Sequence, residues 1–126
     1  MREQLLTHKR ICLIKEKDYM SMYRFTVYRP RLNVRGSHDA YQSNPDDMPQ
    51  FEGVVFTDGS VVVRWLTPSK STSVWDNMDI LLRVHGHPEY GTVLQFHDGP
   101  LPEPLRSIVD SFMMTSAPRG LTTPPK

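Results

Sequence analysis

Three histidines in the second half of the chain are the residues best suited to chemistry. His85 and His87 flank Gly86, and His97 follows after a short apolar stretch. Imidazole nitrogens bind zinc, and a neutral imidazole can act as a general base. Zinc sites need three or four ligands at defined spacing, and the sequence has no HExxH or CxxC motif. A His-dependent metal-binding protein or hydrolase is therefore our third interpretation, with His85, His87 and His97 as its candidate residues.

Other catalytic motifs are missing from the sequence. It contains neither a GxSxG elbow nor a glycine-rich phosphate loop. Cys12 is the single cysteine, so an internal disulfide is excluded, which is typical of a reducing, intracellular setting. We therefore expect a non-enzymatic protein without a cofactor.

A basic segment near the N-terminus suggests a different chemistry. Residues 1–35 contain nine Lys and Arg against three Asp and Glu, whereas the rest of the chain contains six against eleven. Between positions 24 and 35 aromatic residues alternate with arginines, a mixture that stacks bases and follows phosphates in single-strand binders. The same alternation fits an ordinary edge strand. The candidate protein- or nucleic-acid-binding residues of this segment are Arg24, Tyr28, Arg29, Arg31 and Arg35.

Two tryptophans, Trp65 and Trp75, are the remaining candidates for a binding surface. Aromatic residues are enriched at protein interfaces, and this favours contacts with a protein partner. The plain alternative is that both side chains fill a small core.

A β-hairpin is the clearest structural prediction. The stretch FEGVVFTDGSVVVRWL, residues 51–66, consists of two apolar runs around Asp58-Gly59. This dipeptide predicts a type I′ turn, in which both central residues have positive φ. Both faces of the second run are largely apolar, so we expect the sheet to be covered on both sides, by the protein's own helices or by a partner.

The flanking patterns complete an α+β fold. Strands are predicted at 23–29, 71–75 and 91–96, and helices at about 77–85 and 103–114. Asp76 is the expected N-cap of the first helix, and Gly86 the left-handed residue after it. This order predicts a small, mainly antiparallel sheet with the hairpin 52–66 at its centre, packed by the two helices.

The predicted organisation is one domain over residues 20–115. Residues 1–19 form an uncertain N-terminal appendage and residues 116–126 a disordered tail. Residues 30–50 read as a long, proline-containing loop, a place where function often resides. No apolar run approaches the ~20 residues that a membrane helix needs.

The sequence of residues 51–97 resembles that of a family of small uncharacterised proteins from actinobacterial phages, actinobacteria and haloarchaea. Those proteins show the pattern DG[ST]VVxRWL, STxVWD and HGH, which here corresponds to Arg64-Trp65, Trp75-Asp76 and His85-Gly86-His87. The resemblance implies a phage or bacterial accessory protein that works inside a bacterial cell, and it assigns no catalytic residue.

These observations favour a non-enzymatic protein-binding module, a phage-encoded accessory protein that modulates a host protein. We expect it in the cytoplasm of a bacterial host cell, without membrane contact, binding a host or phage protein. It could also form a homodimer through an exposed sheet edge or the C-terminal helix. The alternative is a nucleic-acid-binding accessory protein that uses the basic segment 24–35.

Overall fold

The chain folds as a five-stranded antiparallel sheet with helices on one face, which confirms the predicted α+β class. The computed structural model describes residues 21–32 and 43–121, with side chains described as far as Ser116. The strands, in chain order, are β1 (Tyr23–Tyr28), β2 (Pro49–Val55), β3 (Val61–Trp65), β4 (Ser71–Trp75) and β5 (Val93–Phe96). In the sheet they lie in the order β4-β3-β2-β1-β5. The helices are α1 (Met78–His85), a 3-10 turn at Pro88–Tyr90, and α2 (Leu105–Leu121).

The core lies between one face of the sheet and the two helices. Alternate residues of β1 are buried, as the period of a strand requires, and their neighbours point to the opposite face. Met78 and Leu81 of α1 and Val109 of α2 close the core from the other side. In the described part of the chain, no helix is long and apolar enough to cross a membrane.

The second face of the sheet, which we call the open face, is not packed by either described helix. Val54, Val62 and Val74 lie side by side across three strands on this face, and Val74 is 73% exposed. The prediction that the protein's own helices cover both faces of the sheet is therefore wrong for the described residues. Only the second part of that expectation, cover by a partner, stays a prediction.

The central hairpin is present, but its turn differs from the predicted type I′. Among the described non-glycine residues only His87 has positive φ, so Asp58 does not, while Gly59 has φ 92°. The Gly59 amide donates to the Phe56 carbonyl, and the Phe56 amide donates to Ser60. This is a type I turn followed by a left-handed glycine, and Asp58 stabilises it by accepting hydrogen bonds from Ser60.

Both predicted caps of α1 were wrong. Asn77, not Asp76, is the N-cap, because its Oδ1 accepts the amide of Ile80 at 2.9 Å. Gly86 has φ −69°, an ordinary helical value, and His87 is the residue with left-handed backbone. Glycine is needed at position 86 for space, since a Cβ there would lie 2.7 Å from the ring of Phe112.

Two element boundaries also differ from those predicted. β2 begins at Pro49, inside the segment expected to be loop, and Gln50 is buried where it binds the backbone of Asn44. The second helix starts at Leu105 and continues past residue 114 to Leu121. The predicted appendage 1–19, residues 33–42 of the loop and 122–126 of the tail lie outside the described residues.

Candidate functional site

The ends of several elements meet around the side chain of Arg29 and leave a cavity of about 340 Å³ between them. Arg29 follows β1 directly, Trp65 ends β3, and His85 ends α1. We call this cavity the Arg29 pocket. Its lining residues are Arg29, Trp65, Thr67, Ser69, Ser71, His85, His87 and Tyr90.

Arg29 is a cation almost removed from water, with a relative exposure of 7%. Its Nη2 donates to the backbone carbonyl of His85 at 2.5 Å. Three aromatic rings surround the guanidinium, with centroids 5.5 Å (Phe51), 5.7 Å (Trp65) and 5.5 Å (Tyr90) from Cζ. Its Nε is buried and has no acceptor among the described residues. The site therefore holds a guanidinium whose buried Nε donor has no acceptor among the described residues.

Burial has a clear electrostatic effect on this residue. Desolvation lowers the pKa of Arg29 to about 10, and the nearby Tyr90 and Glu89 oppose this change in part. At neutral pH the side chain is still charged. Cation–π contacts offset part of the desolvation, but a donor without an acceptor in a low-dielectric site costs free energy. An acceptor that reached Nε would remove that cost.

The imidazole of His85 packs between the rings of Trp65 and Trp75. Its ring meets Trp65 edge-on at 5.0 Å and Trp75 at 5.3 Å between centroids. Burial, then the charges of Arg29 and His87, lower the pKa of His85 below its ordinary value. The imidazole is consequently neutral at pH 7, the form in which it can accept a proton.

His87 is held in a strained backbone conformation with φ 47°. Its carbonyl accepts the hydroxyl of Thr92 at 2.8 Å, and the hydroxyl of Ser116 donates to the Thr92 carbonyl at 2.8 Å. The imidazole stacks on Tyr90, and its Nδ1 lies 3.0 Å from the carboxylate of Glu89. Strain maintained by a buried hydroxyl network is typical of functional sites. It fixes the direction of one imidazole at the edge of the pocket.

The residues predicted from the basic segment lie in separate places. Arg24 is exposed on the open face and forms an ion pair of 2.7 Å with Asp98, while Arg29 is buried on the helical side. Tyr28 is half-buried at the end of β1, and Arg31 donates to the Glu89 carbonyl. Arg35 lies outside the described residues. The described arginines thus do not line one continuous groove.

The predicted histidine and tryptophan residues are partly brought together. His85 and His87 share the Arg29 pocket with Trp65, and Trp75 contacts His85 from the side. His97 lies on the open face, where its Nε2 is 2.7 Å from the Thr26 hydroxyl. Within the described ranges no group of three or more His, Cys, Asp or Glu could hold a metal ion.

Tyr90 and the hydroxyls of Thr67, Ser69 and Ser71 were not anticipated as site residues. Tyr90 follows His87-Pro88-Glu89, and the only signal near it is the turn composition of that stretch. The alternation of β1 does place Arg29 on the same face as the buried Phe25 and Val27, a signal that the sequence analysis did not use. The position of Tyr90 beside Arg29 depends on contacts between residues distant in sequence.

A larger hollow of about 580 Å³ lies on the open face and is a weaker candidate. Its floor is formed by Val54 and Val62, with the charged side chains of Arg24, Glu52 and Arg64 around it. These charged residues are exposed to solvent, and Arg24 already has Asp98 as its counter-ion. Nothing buried in this hollow requires a ligand.

Comparison with known proteins relates part of the chain to phages. Residues 51–98 match the model of a family described as Acb5 phage protein, which covers fewer than half of the 126 residues. The match supports a relationship with a phage protein family. The wider range of organisms and the sequence pattern given above stay predictions. No curated protein and no solved structure matches the chain.

Proposed function

We propose that this protein is a phage accessory protein that binds a small phosphorylated molecule with a planar ring in the Arg29 pocket. The observation that carries the proposal is the buried guanidinium of Arg29, whose Nε has no acceptor among the described residues. The proposed setting is the cytoplasm of the bacterial host, in keeping with the similarity to a phage protein family.

The side chains of the pocket suit both parts of such a ligand, the phosphate group and the planar ring. Guanidinium binds phosphate through paired hydrogen bonds, and its charge is worth most where water is excluded. Trp65 and Tyr90 line the cavity and add aromatic surface beside a planar group. A cavity of about 340 Å³ lies at the lower end of the range for small-molecule sites.

The positions of the two tryptophans favour a small ligand over a protein partner. Trp65, which lines the pocket, and Trp75, which lies outside it, are both half-buried and pack against His85, so neither ring is presented as a flat protein interface. Binding of a host protein, or of nucleic acid through the basic segment, stays a prediction that rests on other residues.

The test is calorimetric titration with adenosine 5′-monophosphate, inorganic phosphate and adenosine. We expect the monophosphate to bind most tightly, because it alone fills both halves of the pocket. Arg29→Met should weaken its binding at least about tenfold, since one charge-assisted hydrogen bond is worth roughly 1.5–3 kcal/mol. Arg83→Met is the matched control, because Arg83 is exposed on α1 and does not line the Arg29 pocket.

Arg29→Lys separates charge from shape if the methionine variant folds poorly. Lysine keeps the charge but cannot form the planar pair of donors, so phosphate binding should weaken while the fold survives. Equal affinity of the parent protein and both variants for the monophosphate would refute the proposal, and so would no binding by any of the three probes.

A second candidate function is hydrolysis of a phosphoester in the same pocket, favoured by the two imidazoles beside Arg29. Neutral His85 can take a proton from an attacking water as the P–O bond breaks. His87, oriented by Glu89, can give a proton to the leaving oxygen. Arg29 would stabilise the charge on phosphorus-bound oxygen.

Bis(4-nitrophenyl) phosphate distinguishes hydrolysis from binding alone. A hydrolase should release 4-nitrophenolate, with at least about a hundredfold loss of rate in His85→Asn, the usual scale of general acid–base catalysis. Arg83→Met should retain the rate. Phosphate binding without any turnover would reject the hydrolase and keep the non-enzymatic protein predicted from the sequence.

A further inference from the structure

β4 is an outer strand of the sheet, and its own five residues carry no charge, proline or bulge that would prevent pairing with another strand. It lies at one end of the order β4-β3-β2-β1-β5, so its outer edge faces no described strand. Its sequence, STSVW, contains no charge and no proline, and its register with β3 is regular throughout. Natural sheets avoid such edges or cover them.

The residues around β4 are complementary to a second copy of themselves. In an antiparallel pairing with a two-fold axis at Ser73, Ser71 of one copy lies opposite Trp75 of the other, and Thr72 opposite Val74. One residue further out, Lys70 lies opposite Asp76 at both ends of the strand pair. Directly opposed residues share a face of the sheet, so each lysine can reach the partner's carboxylate.

The charge match selects one register. Pairing about Thr72 or Val74 leaves Lys70 or Asp76 opposite an uncharged residue of the strand. Lys70 and Asp76 are both exposed, and neither caps α1, whose N-cap is Asn77. In the single copy the Lys70 ammonium donates to the carbonyls of Leu66 at 3.2 Å and Thr67 at 3.5 Å, and in the pair it would exchange these contacts for the partner's carboxylate. Val74, 73% exposed in the single copy, would then lie within a continuous surface formed by both open faces.

We infer that two copies of this chain pair through β4, forming a ten-stranded sheet in which each copy's Trp75 lies at the rim of the other's Arg29 pocket. Ser71 provides the connection, since it lines that pocket and is the residue opposed to the partner's Trp75. The occupant of this edge is therefore a second copy of the chain, and the pairing brings the partner's Trp75 next to Ser71 at the rim of the site. A strand pair of five residues is a small interface, so the dimer should form and dissociate with concentration in the micromolar range.

Sedimentation over a concentration series tests the pairing and its register. The parent protein should shift from monomer to dimer between about 5 and 500 µM, the range expected for a small interface. Asp76→Lys should weaken the dimer about tenfold, because it opposes like charges at two places. Lys70→Asp should do the same. Mixing the two single variants should restore dimers, since every end of the strand pair then has opposite charges.

A cross-link at the proposed axis gives an independent readout. In a Cys12→Ser background, Ser73→Cys should oxidise to a covalent dimer, because opposed strand residues lie about 4.5–5.5 Å apart at Cα, within disulfide range. Thr115→Cys, exposed on α2, is the control for random collision. A protein that remains monomeric throughout the series, or a Ser73→Cys dimer yield no higher than the control, would overturn the inference. Neither measurement depends on a ligand of the Arg29 pocket.

Discussion

At the scale of single residues, the proposed function rests on the side chain of Arg29. Its guanidinium is tied to α1 through the His85 carbonyl and surrounded by rings, but Nε remains without an acceptor in the described part of the chain. A purely structural arginine would have its donors satisfied by the fold. The proposed phosphate ligand rests on this unused donor.

His85 should make the stability of the protein depend on pH. Burial and the electrostatic effects of Arg29 and His87 lower the pKa of His85 in the folded chain, so the unfolded chain binds this proton more readily. The free energy of unfolding should be highest above about pH 6.5, the ordinary value, and fall as the pH decreases through it. Urea unfolding of the parent and of His85→Gln at several pH values measures this. An equal slope in both proteins would show that His85 is not the cause.

At the scale of elements, two glycines allow neighbouring helices and strands to pack closely. Gly86 lets α1 end against Phe112 of α2, which places His85 and His87 on either side of the turn. Gly53, in the middle of β2, lies against the carbonyl of Val62 and the ring of Phe25, which a Cβ would approach to within 2.6 Å. In both places a backbone must come close to a rigid neighbour.

Gly53→Ala should destabilise the protein by about 1–3 kcal/mol, because the added methyl group overpacks the core. The change is measured by urea denaturation monitored through tryptophan fluorescence. Thr72→Ala, on exposed β4, should stay within about 0.5 kcal/mol of the parent, as most surface changes do. A Gly53→Ala variant as stable as this control would mean that the strands separate freely at Gly53.

The local elements could be predicted from sequence, whereas the way they assemble could not. Alternation and the Asp58-Gly59 dipeptide identify the strands and the hairpin, and the 3–4 spacing in 77–85 identifies α1. The turn type was wrong because a left-handed glycine after a type I turn uses the same dipeptide. The pairing of β5 with β1, and hence the meeting of Arg29 with Tyr90, depends on tertiary contacts that no local pattern encodes.

At the scale of the whole molecule, the sheet separates two different surfaces. The helical side contains the Arg29 pocket, and the open side carries exposed valines and paired surface charges. The segment that matches the phage family contains Trp65, His85, His87 and Tyr90, whereas Arg29 directly follows β1 and lies outside that segment. The pocket is thus completed only when β1 enters the sheet next to β2.

The most direct measurement of the central claim is an NMR titration that follows the Nε–Hε signals of the arginine side chains. On addition of adenosine 5′-monophosphate, the Arg29 signal should shift the most and become protected from exchange, because its Nε gains the acceptor it lacks. The Arg24 and Arg64 signals, on the open face, should stay in place. An unmoved Arg29 signal, with shifts confined to Arg24 and Arg64, would contradict the account. The ligand-binding site would then lie on the open face and not in the Arg29 pocket.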